Sequence, residues 1–423
     1  MSNINTTPIL SHNNINTMSN SYKETAIGII PIDWEIKRLA EIISFSKGSN
    51  LSKTDIVENG DFKCIHYGEL FTVYNEIIKN IVSSTNVKSG NLSRYGDILM
   101  PASDVTPEGL AKASTILLDN VILGGDINIL RPTIKIDYVY LSYIINFQKS
   151  QIIKLVTGST VRHIYSKDLK TIKIVYPKSI IEQQKIAEIL STWDDAITNC
   201  KTTINTLKDR NKGLAQQLLK GKKRLSGFDE LWKLKKIKDI SIEISSKNKE
   251  DEDLIVLSCT KHNGLVPSLE YFGRKIYSDN LKTYKIVEKN VFAYATNHIE
   301  EGSIGYQSKY EKALISPMYT VFKTDDDIND EFLFRVLKSN TYIQEYQKRM
   351  EGSIDRRGGL RWQEFSKIKV NVPSYEEQTA IALALETADQ ELKSYETKLE
   401  ALQLQKKGLM QQLLTGKIRV NVK

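Results

Sequence analysis

Two stretches of this chain decide its fold, because they are copies of one another. Residues 179–224 read SIIEQQKIAEILSTWDDAITNCKTTINTLKDRNKGLAQQLLKGKKR, and residues 374–419 read SYEEQTAIALALETADQELKSYETKLEALQLQKKGLMQQLLTGKIR, at a constant offset of 195 (374 − 179 and 419 − 224). Each copy opens with a Ser-x-x-Glu capping box behind a proline and closes on a glycine after Gln-Gln-Leu-Leu. A capping box starts a helix and such a glycine stops it, so each copy is predicted to be a helix of about 40 residues, or about 60 Å.

The interior of both copies has the pattern of a coiled-coil seam, with apolar residues at alternating steps of four and three. Each seam contains one polar residue, and Asn211 and Lys406 hold the same place in the two copies (406 − 211 = 195). Such a residue lowers stability but fixes register. Two unrelated amphipathic helices would not share caps, seam and polar break. We predict that the helices pair with each other and with partners through Ile186, Leu190, Trp193, Ile197, Asn211, Ile381, Leu385, Leu392, Leu399 and Lys406.

The repeat is larger than the helix. Setting Trp34 on Trp232 (an offset of 198) also sets Leu39 on Ile237, so a related phrase opens each half of the chain. Short runs rich in Ile, Val and Tyr indicate strands, as at 96–100, 127–130 and 285–287, and helical periodicity appears near 138–155 and 330–350. The predicted fold is mixed α/β, a pseudo-twofold repeat of two globular domains separated by two long antiparallel coiled-coil helices. We predict a disordered tail at 1–21, a first globular domain at 22–178, a first long helix at 179–224, a second globular domain at 225–373 and a second long helix at 374–423.

Composition favours a soluble protein with an anionic partner. The chain has 423 residues, room for two or three domains, with 40% hydrophobic residues, a net charge of +8 and a pI near 9.0. No apolar run approaches the ~20 residues of a membrane span, and the Asn-, Ser- and Thr-rich start lacks the pattern of a signal peptide. Cys64, Cys200 and Cys259 lie far apart, which indicates neither a disulfide framework nor a metal site and favours a reducing cytoplasm.

Motifs for catalysis are missing from the sequence. It has no Gly-x4-Gly-Lys-Ser/Thr phosphate loop, and no Asn/Asp-Pro-Pro-Tyr stretch of the kind that amino-methyltransferases use on a flipped base. The segment from His298 to Glu301 lacks the second histidine of a zinc protease helix. The chain is therefore predicted to be non-catalytic, without a cofactor or metal of its own.

Polar, basic loops recur at similar places in both halves, ahead of each long helix. Arg and Lys can pair with guanine edges, Asn with adenine, and Ser, Thr and glycine amides with phosphates. A single such loop is more often a plain solvated turn, but the recurrence favours DNA binding. A second basic run at 220–224 and 233–238 is interpreted as offsetting a helix dipole, with phosphate contact as the alternative. The predicted DNA-binding residues are Lys47, His66, Ser103, Arg162, His163, Lys261, His262, Asn297, Arg356, Arg357 and Arg361.

Several phrases together resemble the specificity subunit of type I restriction-modification systems. They are the segment 22–35, with its Ile-Pro-Ile-Asp-Trp-Glu ending, and the Glu-Gln-Gln-Lys-Ile-Ala-Glu-Ile-Leu opening of the first helix. The Gly-Leu-x-Gln-Gln-Leu-Leu closings at 213–219 and 408–414 and the segments at 96–99 and 302–305 fit as well. The resemblance covers nearly the whole chain after the tail.

The resemblance implies two target-recognition domains, each reading one half of a split DNA site. It also implies that the long helices act as a ruler and dock two modification subunits, which use S-adenosylmethionine. Restriction subunits would carry the ATP- and Mg-dependent translocation and cleavage. Two alternatives remain open at this point: a coiled-coil scaffold that bridges proteins without reading DNA, and a self-sufficient nuclease or methyltransferase.

Overall fold

The computed structural model describes residues 21–25, 28–49, 51–351 and 359–421 of the chain. They form two compact units: unit 1 takes the described residues up to Cys200 and those from Lys398 onward, and unit 2 runs from Lys201 to Thr397. Each unit contains one globular part together with a portion of both long helices. The predicted domain boundaries follow the sequence repeat, whereas the units divide within the helices, so those boundaries remain a prediction.

Unit 1 contains two five-stranded sheets and several short helices. Its elements in chain order are β1 (Tyr22–Thr25), β2 (Gly28–Pro31), β3 (Trp34–Arg38), α1 (Leu39–Ile42), β4 (Ile43–Lys47), β5 (Ile56–Val57), β6 (Phe62–Ile65), α2 (Glu69–Thr72), β7 (Ile77–Ile78), β8 (Ser83–Thr85), β9 (Asn91–Leu92), β10 (Ile98–Pro101), β11 (Ser103–Asp104), α3 (Pro107–Leu110), β12 (Ser114–Ile116), β13 (Ile122–Leu123), β14 (Ile127–Pro132), α4 (Tyr138–Phe147), α5 (Lys149–Ile153), β15 (Arg162–His163), α6 (Ser166–Leu169), β16 (Lys173–Pro177) and α7 (Ile180–Leu218), whose second half belongs to unit 2.

The first sheet of unit 1 has the strand order β4-β14-β10-β12-β7, and the second has the order β5-β8-β6-β13-β9. Strand β10 lies inside its sheet, and all four of its residues are buried, which explains its unbroken apolar run. The strands predicted near 96–100 and 127–130 are confirmed as β10 and β14. The helical periodicity predicted near 138–155 is confirmed, and the structure divides it into the two helices α4 and α5. Gln148 leaves the helical conformation, and the break lets Ile152 of α5 enter the core.

Unit 2 repeats this plan with two four-stranded sheets, β18-β25-β22-β23 and β20-β19-β24-β21. Its further elements are β17 (Lys233–Lys236), β18 (Ser241–Ile244), β19 (Val256–Thr260), β20 (Gly264–Pro267), α8 (Ser268–Phe272), β21 (Lys285–Glu288), β22 (Val291–Ala295), β23 (Ile304–Gln307), β24 (Lys312–Ile315), β25 (Tyr319–Thr324), α9 (Asp330–Leu337), α10 (Asn340–Glu351), α11 (Trp362–Phe365), β26 (Lys369–Val372) and α12 (Tyr375–Leu413).

The same connections recur in the two units, which confirms the mixed α/β repeat. In unit 1, β3 pairs antiparallel with β16 just before α7, and in unit 2, β17 pairs antiparallel with β26 just before α12. The helical pattern predicted over 330–350 is again two helices, α9 and α10, separated at Lys338 and Ser339. The core of unit 2 is aromatic: Phe292 and Phe322 stack with their ring centroids 4.9 Å apart, and Phe365 packs beside them.

Both long helices contain 39 residues, as the repeat predicts. They end at Leu218 and Leu413, and the glycines that follow, Gly221 and Gly416, have the left-handed φ values of +64° and +68° that favour glycine. A Cβ at Gly416 would also lie 2.4 Å from the ring of Pro31, so the close approach requires glycine there.

Within each unit, the start of one long helix packs against the end of the other, so the helices run antiparallel there. In unit 1, Ile186 and Leu190 of α7 share a core with Leu409 and Leu413 of α12. In unit 2, the core joins α7 to α12 through Leu214, Leu218, Ile381 and Leu385. Four seam residues predicted for partners, Ile186, Leu190, Ile381 and Leu385, are thus buried inside their own unit. Ile197 is buried as well, whereas Trp193, Leu392 and Leu399 are half-buried.

The two polar seam residues are satisfied by different chemistry. The side-chain amide of Asn211 donates to the carbonyl oxygen of Ala388 over 2.8 Å. Lys406, which is 9% exposed, instead pairs with the carboxylates of Asp194 and Glu76, the latter at 3.2 Å. The shared sequence position therefore carries a neutral hydrogen bond in unit 2 and a charged cluster in unit 1.

The predicted capping boxes are half correct. Ser179 and Ser374 do accept from the amides of Glu182 and Glu377, at 3.3 and 3.4 Å. The side chains of the two glutamates, however, do not bond back to the cap residue. Each of them instead binds an arginine that lies beyond the end of the other long helix. Arg419 donates to both carboxylate oxygens of Glu182 at 2.7 and 2.8 Å.

Unit 2 has the same arrangement at its own helix start. Arg224 donates to both oxygens of Glu377 at 2.5 and 2.6 Å, and the indole of Trp232 adds a bond of 3.0 Å. The pairing raises the pKa of Arg224. The arginine of the basic run at 220–224 is therefore engaged by Glu377, whereas the interpretation of the lysines of that run stays a prediction. No helix in the described part of the chain is both long and apolar enough to cross a membrane.

Candidate nucleic-acid interface

Three of the predicted residues of unit 1 meet where β11 pairs with β15. Ser103 lies opposite His163, and Asp104 opposite Arg162. Ser103 is 6% exposed and donates to Asp126 over 2.9 Å, so its hydroxyl positions this turn and is not presented at the surface. That burial argues against the direct DNA contact predicted for Ser103.

The β11–β15 pair, together with Tyr165 and Lys47, forms the loop cluster of unit 1, and its cationic side chains lie around one aromatic ring. The ring of Tyr165 stacks on His163 with centroids 6.0 Å apart and planes 20° apart. The side-chain nitrogens of Lys47 and Lys167 lie 5.6 and 5.7 Å from the centre of the same ring. Cations over a tyrosine face are attracted by its electron density, and the ring itself offers a surface for stacking. Lys47 and His163, both predicted from the sequence, therefore contact the same ring, although 116 residues separate them (163 − 47).

His66 lies at the start of α2 and is held in a defined tautomer. Its Nδ1 accepts from the amide of Gly68 over 3.2 Å, while its own amide donates to Glu69 over 2.7 Å. Burial lowers the pKa of His66, against the opposing effect of Glu69 and Asp126. The neutral ring therefore carries its proton on Nε2, where it can donate to a base acceptor.

Unit 2 brings Asn297 and Arg361 together in the equivalent place. The amide of Leu360 donates to the carbonyl of Thr296 over 2.9 Å, just as Ile164 donates to Ala102 over 3.1 Å in unit 1. Gly359, at φ +66°, allows this approach, because a Cβ there would lie 2.4 Å from the side-chain oxygen of Asn297.

A cleft of about 460 Å³ opens between these segments. Asn297, Met318, Arg361 and Trp362 line it, together with Lys285, whose side chain donates to the carbonyl of Tyr319 over 2.6 Å. Burial lowers the pKa of Lys285. The cleft combines an amide, a guanidinium and an aromatic ring, the groups that read and stack bases.

Two further predicted residues of unit 2 lie in a separate turn. Lys261 and His262 are exposed in the turn between β19 and β20, where the hydroxyl of Thr260 accepts from the amide of Asn263 over 3.0 Å. Arg356 and Arg357 lie outside the described residues.

Comparison of the two loop clusters identifies positions that the sequence prediction missed. Tyr165 follows Ile164 as Arg361 follows Leu360, so a stacking ring in unit 1 stands where a guanidinium stands in unit 2. Met318, 64% exposed, was also missed. The signal for Tyr165 was present in the sequence, because an aromatic residue interleaved with His163 and Lys167 is typical of nucleic-acid surfaces.

One group of described residues could approach a metal ion. His298, Glu300 and Glu301 bring ligand atoms within 4.8 Å of one another at the surface, and the imidazole of His298 is 67% exposed. Exposed acidic groups of this kind are common without a metal, and three ligands at the surface do not make a closed site.

Comparison with known proteins accounts for the repeated loop clusters. The family model described as the type I restriction modification DNA specificity domain matches residues 31–209 and again 220–404. The chain belongs to this family. Its two matches together cover most of the chain, and each includes one loop cluster and the start of one long helix.

The relatives and the solved structure that are similar to this chain also carry the names of type I specificity subunits. The chain is 26% identical over 420 residues to the type I restriction enzyme MjaVIII specificity subunit of Methanocaldococcus jannaschii, covering 92% of this chain and 94% of that protein. It is 32% identical over 189 residues to the MjaIX specificity subunit, covering 43% and 42%. The crystal structure of an S subunit from M. genitalium has the same fold, with a TM-score of 0.56 at 17% identity over 93% of this chain and 97% of that one.

The salt dependence of DNA binding tests the role of Lys47 in this type I specificity protein. We expect Lys47→Met to reduce the slope of log affinity against log salt by about 0.9, the value for one lost phosphate contact on duplex DNA. Lys135→Met is the matched control, because this exposed lysine follows the far end of β14 from the loop cluster. Equal changes in both variants would indicate a net-charge effect and contradict a contact by Lys47.

Proposed function

We propose that the chain is the DNA sequence-specificity subunit of a type I restriction-modification complex. Each loop cluster reads one half of a bipartite site in double-stranded DNA. The observation that carries the proposal is the pairing of a repeated scaffold with unlike side chains, because Tyr165 of unit 1 and Arg361 of unit 2 stand at equivalent positions. Equal folds with unequal loops suit one task on two different sequences.

The long helices set the spacing between half-sites and dock two modification subunits. The chain itself is non-catalytic: methylation from S-adenosylmethionine belongs to the modification subunits, and ATP- and Mg-dependent translocation and cleavage belong to restriction subunits. The complex works in the cytoplasm, on the host's DNA. A scaffold that bridges proteins without reading DNA would not need the exposed Asn297 and Arg361 beside an aromatic cleft, so it is the weaker candidate.

Methylome sequencing tests this function directly. A host that carries the chain with its neighbouring modification subunit is compared with one from which the chain alone is deleted. We expect a split motif, methylated on adenine in both halves, that disappears in the deletion. Arg361→Ala should relax the motif in one half and leave the other half unchanged. A methylome that stays the same after deletion, with the modification subunit still bound to the chain, would support the scaffold.

A further inference from the structure

One half-buried lysine ties together the two segments of unit 2 that carry predicted contact residues. The side-chain nitrogen of Lys338, at the carboxyl end of α9, donates to the carbonyl of Gly302 over 2.6 Å and to that of Ile304 over 3.1 Å. A third, longer bond of 3.4 Å reaches the carbonyl of Thr260. No carboxylate pairs with Lys338 among the described residues.

The three carbonyls lie at the roots of two surface loops. Thr260 directly precedes the turn with Lys261 and His262, and Gly302 closes the loop that begins at Asn297. Each loop has internal hydrogen bonds, such as that from the amide of Gly302 to Ile299 over 2.8 Å. Among the side-chain bonds of the described residues, those of Lys338 are the ones that join the two loops.

The equivalent place in unit 1 is held by an asparagine, Asn146, whose side chain likewise bonds to backbone groups of a loop. Asn146 follows the N-cap Asp137 by nine residues, as Lys338 follows the N-cap Asn329 (146 − 137 and 338 − 329). Both N-cap amides donate over 2.8 Å to a glutamine of a long helix, Gln183 or Gln378.

Asn146 also ties its helix to the loop of unit 1 that runs from Ser103 to Ala113. Its side chain accepts from the amide of Ala113 over 2.7 Å and donates to the carbonyl of the same residue over 2.9 Å. Ala113 ends the loop that begins at Ser103 and leads into β12. The two units thus fix the same loop from the same helix, with a short neutral side chain in one and a long cationic side chain in the other.

We propose that Lys338 is a positioning residue for sequence recognition by unit 2, and that Asn146 is its counterpart in unit 1. Lys338 holds the turn with Lys261 and the loop with Asn297 in one fixed relation, so that both face the same half-site. This proposal rests on the proposed function. A group that positions a loop affects the half-site which that loop reads, because a loop displaced by about 1 Å loses its hydrogen bonds to bases.

The test measures binding of the purified complex of this chain with its modification subunits to duplexes altered at one base of either half-site. We expect Lys338→Met, which keeps the length of the side chain and removes its donors, to reduce discrimination about tenfold in one half-site and to leave the other unchanged. Asn146→Ala should reduce discrimination in the other half-site. Lys323→Met, at an exposed lysine of β25, is the matched control and should change neither.

Other outcomes would overturn the proposal. Equal losses in both half-sites, or unchanged discrimination in Lys338→Met, contradict a positioning role limited to unit 2. Lys338→Arg keeps a cation and several donors, so it should retain part of the discrimination even if the methionine variant does not fold. A wild-type complex that does not discriminate at either half-site would overturn the proposed function itself, which keeps the two failures distinguishable.

Discussion

Replacing Arg419 by methionine will destabilise the helix pair of unit 1 by about 3 kcal/mol, because it leaves the carboxylate of Glu182 buried without a cation. Glu182 is 1% exposed, and Arg419 is the residue that meets it from beyond the end of α12. The same guanidinium also bonds both oxygens of Asp33, at 2.9 and 2.7 Å, and lowers the pKa of that carboxyl. This value is at the low end of the destabilisation that follows when a buried ion pair loses one partner, because the side chain of Arg419 is 40% exposed.

Hydrogen exchange resolved by peptide is the suitable measurement, because a chain with two units need not unfold in one step. Amides at 180–200 should lose protection in Arg419→Met, whereas those at 201–218 should keep it. Lys417→Met, at an exposed lysine two residues away, is the control. Glu182→Gln combined with Arg419→Met should cost less than the two single changes together, since neither charge is then left alone. Additive costs would contradict a direct pair.

The bonds from Arg419 to Asp33 also give a pH dependence. The pKa of Asp33 is lowered in the folded state, so this carboxylate contributes stability above its unfolded value of 3.8 and loses it as the pH falls through the folded value. Protection of the segment around Trp34 should therefore decrease below about pH 4 in the wild type. In Arg419→Met this decrease should be smaller, because the main cause of the lowered pKa has been removed.

Replacing Lys406 by methionine will destabilise unit 1 by a similar amount, about 3 kcal/mol at neutral pH. The change leaves Asp194 and Glu76 as two half-buried carboxylates with like charge and no cation. Tyr143 donates to Asp194 over 2.5 Å but brings no positive charge. Methionine matches the length of the lysine stem, so the main loss is electrostatic and not a cavity.

The cost of Lys406→Met should shrink as the pH falls. Burial raises the pKa of Asp194, with Glu76 as the next cause and Lys406 opposing both. A raised carboxyl pKa destabilises the folded state above that pKa, and the penalty disappears as the pH falls toward the unfolded value of 3.8. Removing Lys406 raises the pKa further, so the difference between variant and wild type should be larger at pH 7 than near pH 5.

Hydrogen exchange at residues 186–200 and 398–413 at both pH values will measure this difference. Lys407→Met provides a close control, because that neighbouring lysine is exposed. A cost that is the same at pH 7 and pH 5 would show that Lys406 acts through packing of its stem and not through its charge.

The sequence predicted the scaffold because the relevant signals are local. A seam with steps of four and three, a serine cap and a terminal glycine lie within one segment, so the two 39-residue helices could be predicted from the repeat. The mixed α/β class and the family followed from short phrases of the same kind. The breaks at Gln148 and Lys338 were missed, because neither proline nor glycine marks them and tertiary packing decides where those helices bend.

Only the tertiary structure decided the partners of the buried charges and the make-up of the loop clusters. Glu182 reads as half of a capping box, yet it binds Arg419, 237 residues away. Lys406 reads as a lone polar seam residue, yet it meets Glu76, 330 residues away. Spacing along a chain predicts contacts within a helix turn or a hairpin, whereas these contacts depend on how the topology returns the chain to itself. For the same reason, a single sequence could not show that Tyr165 and Arg361 occupy one position.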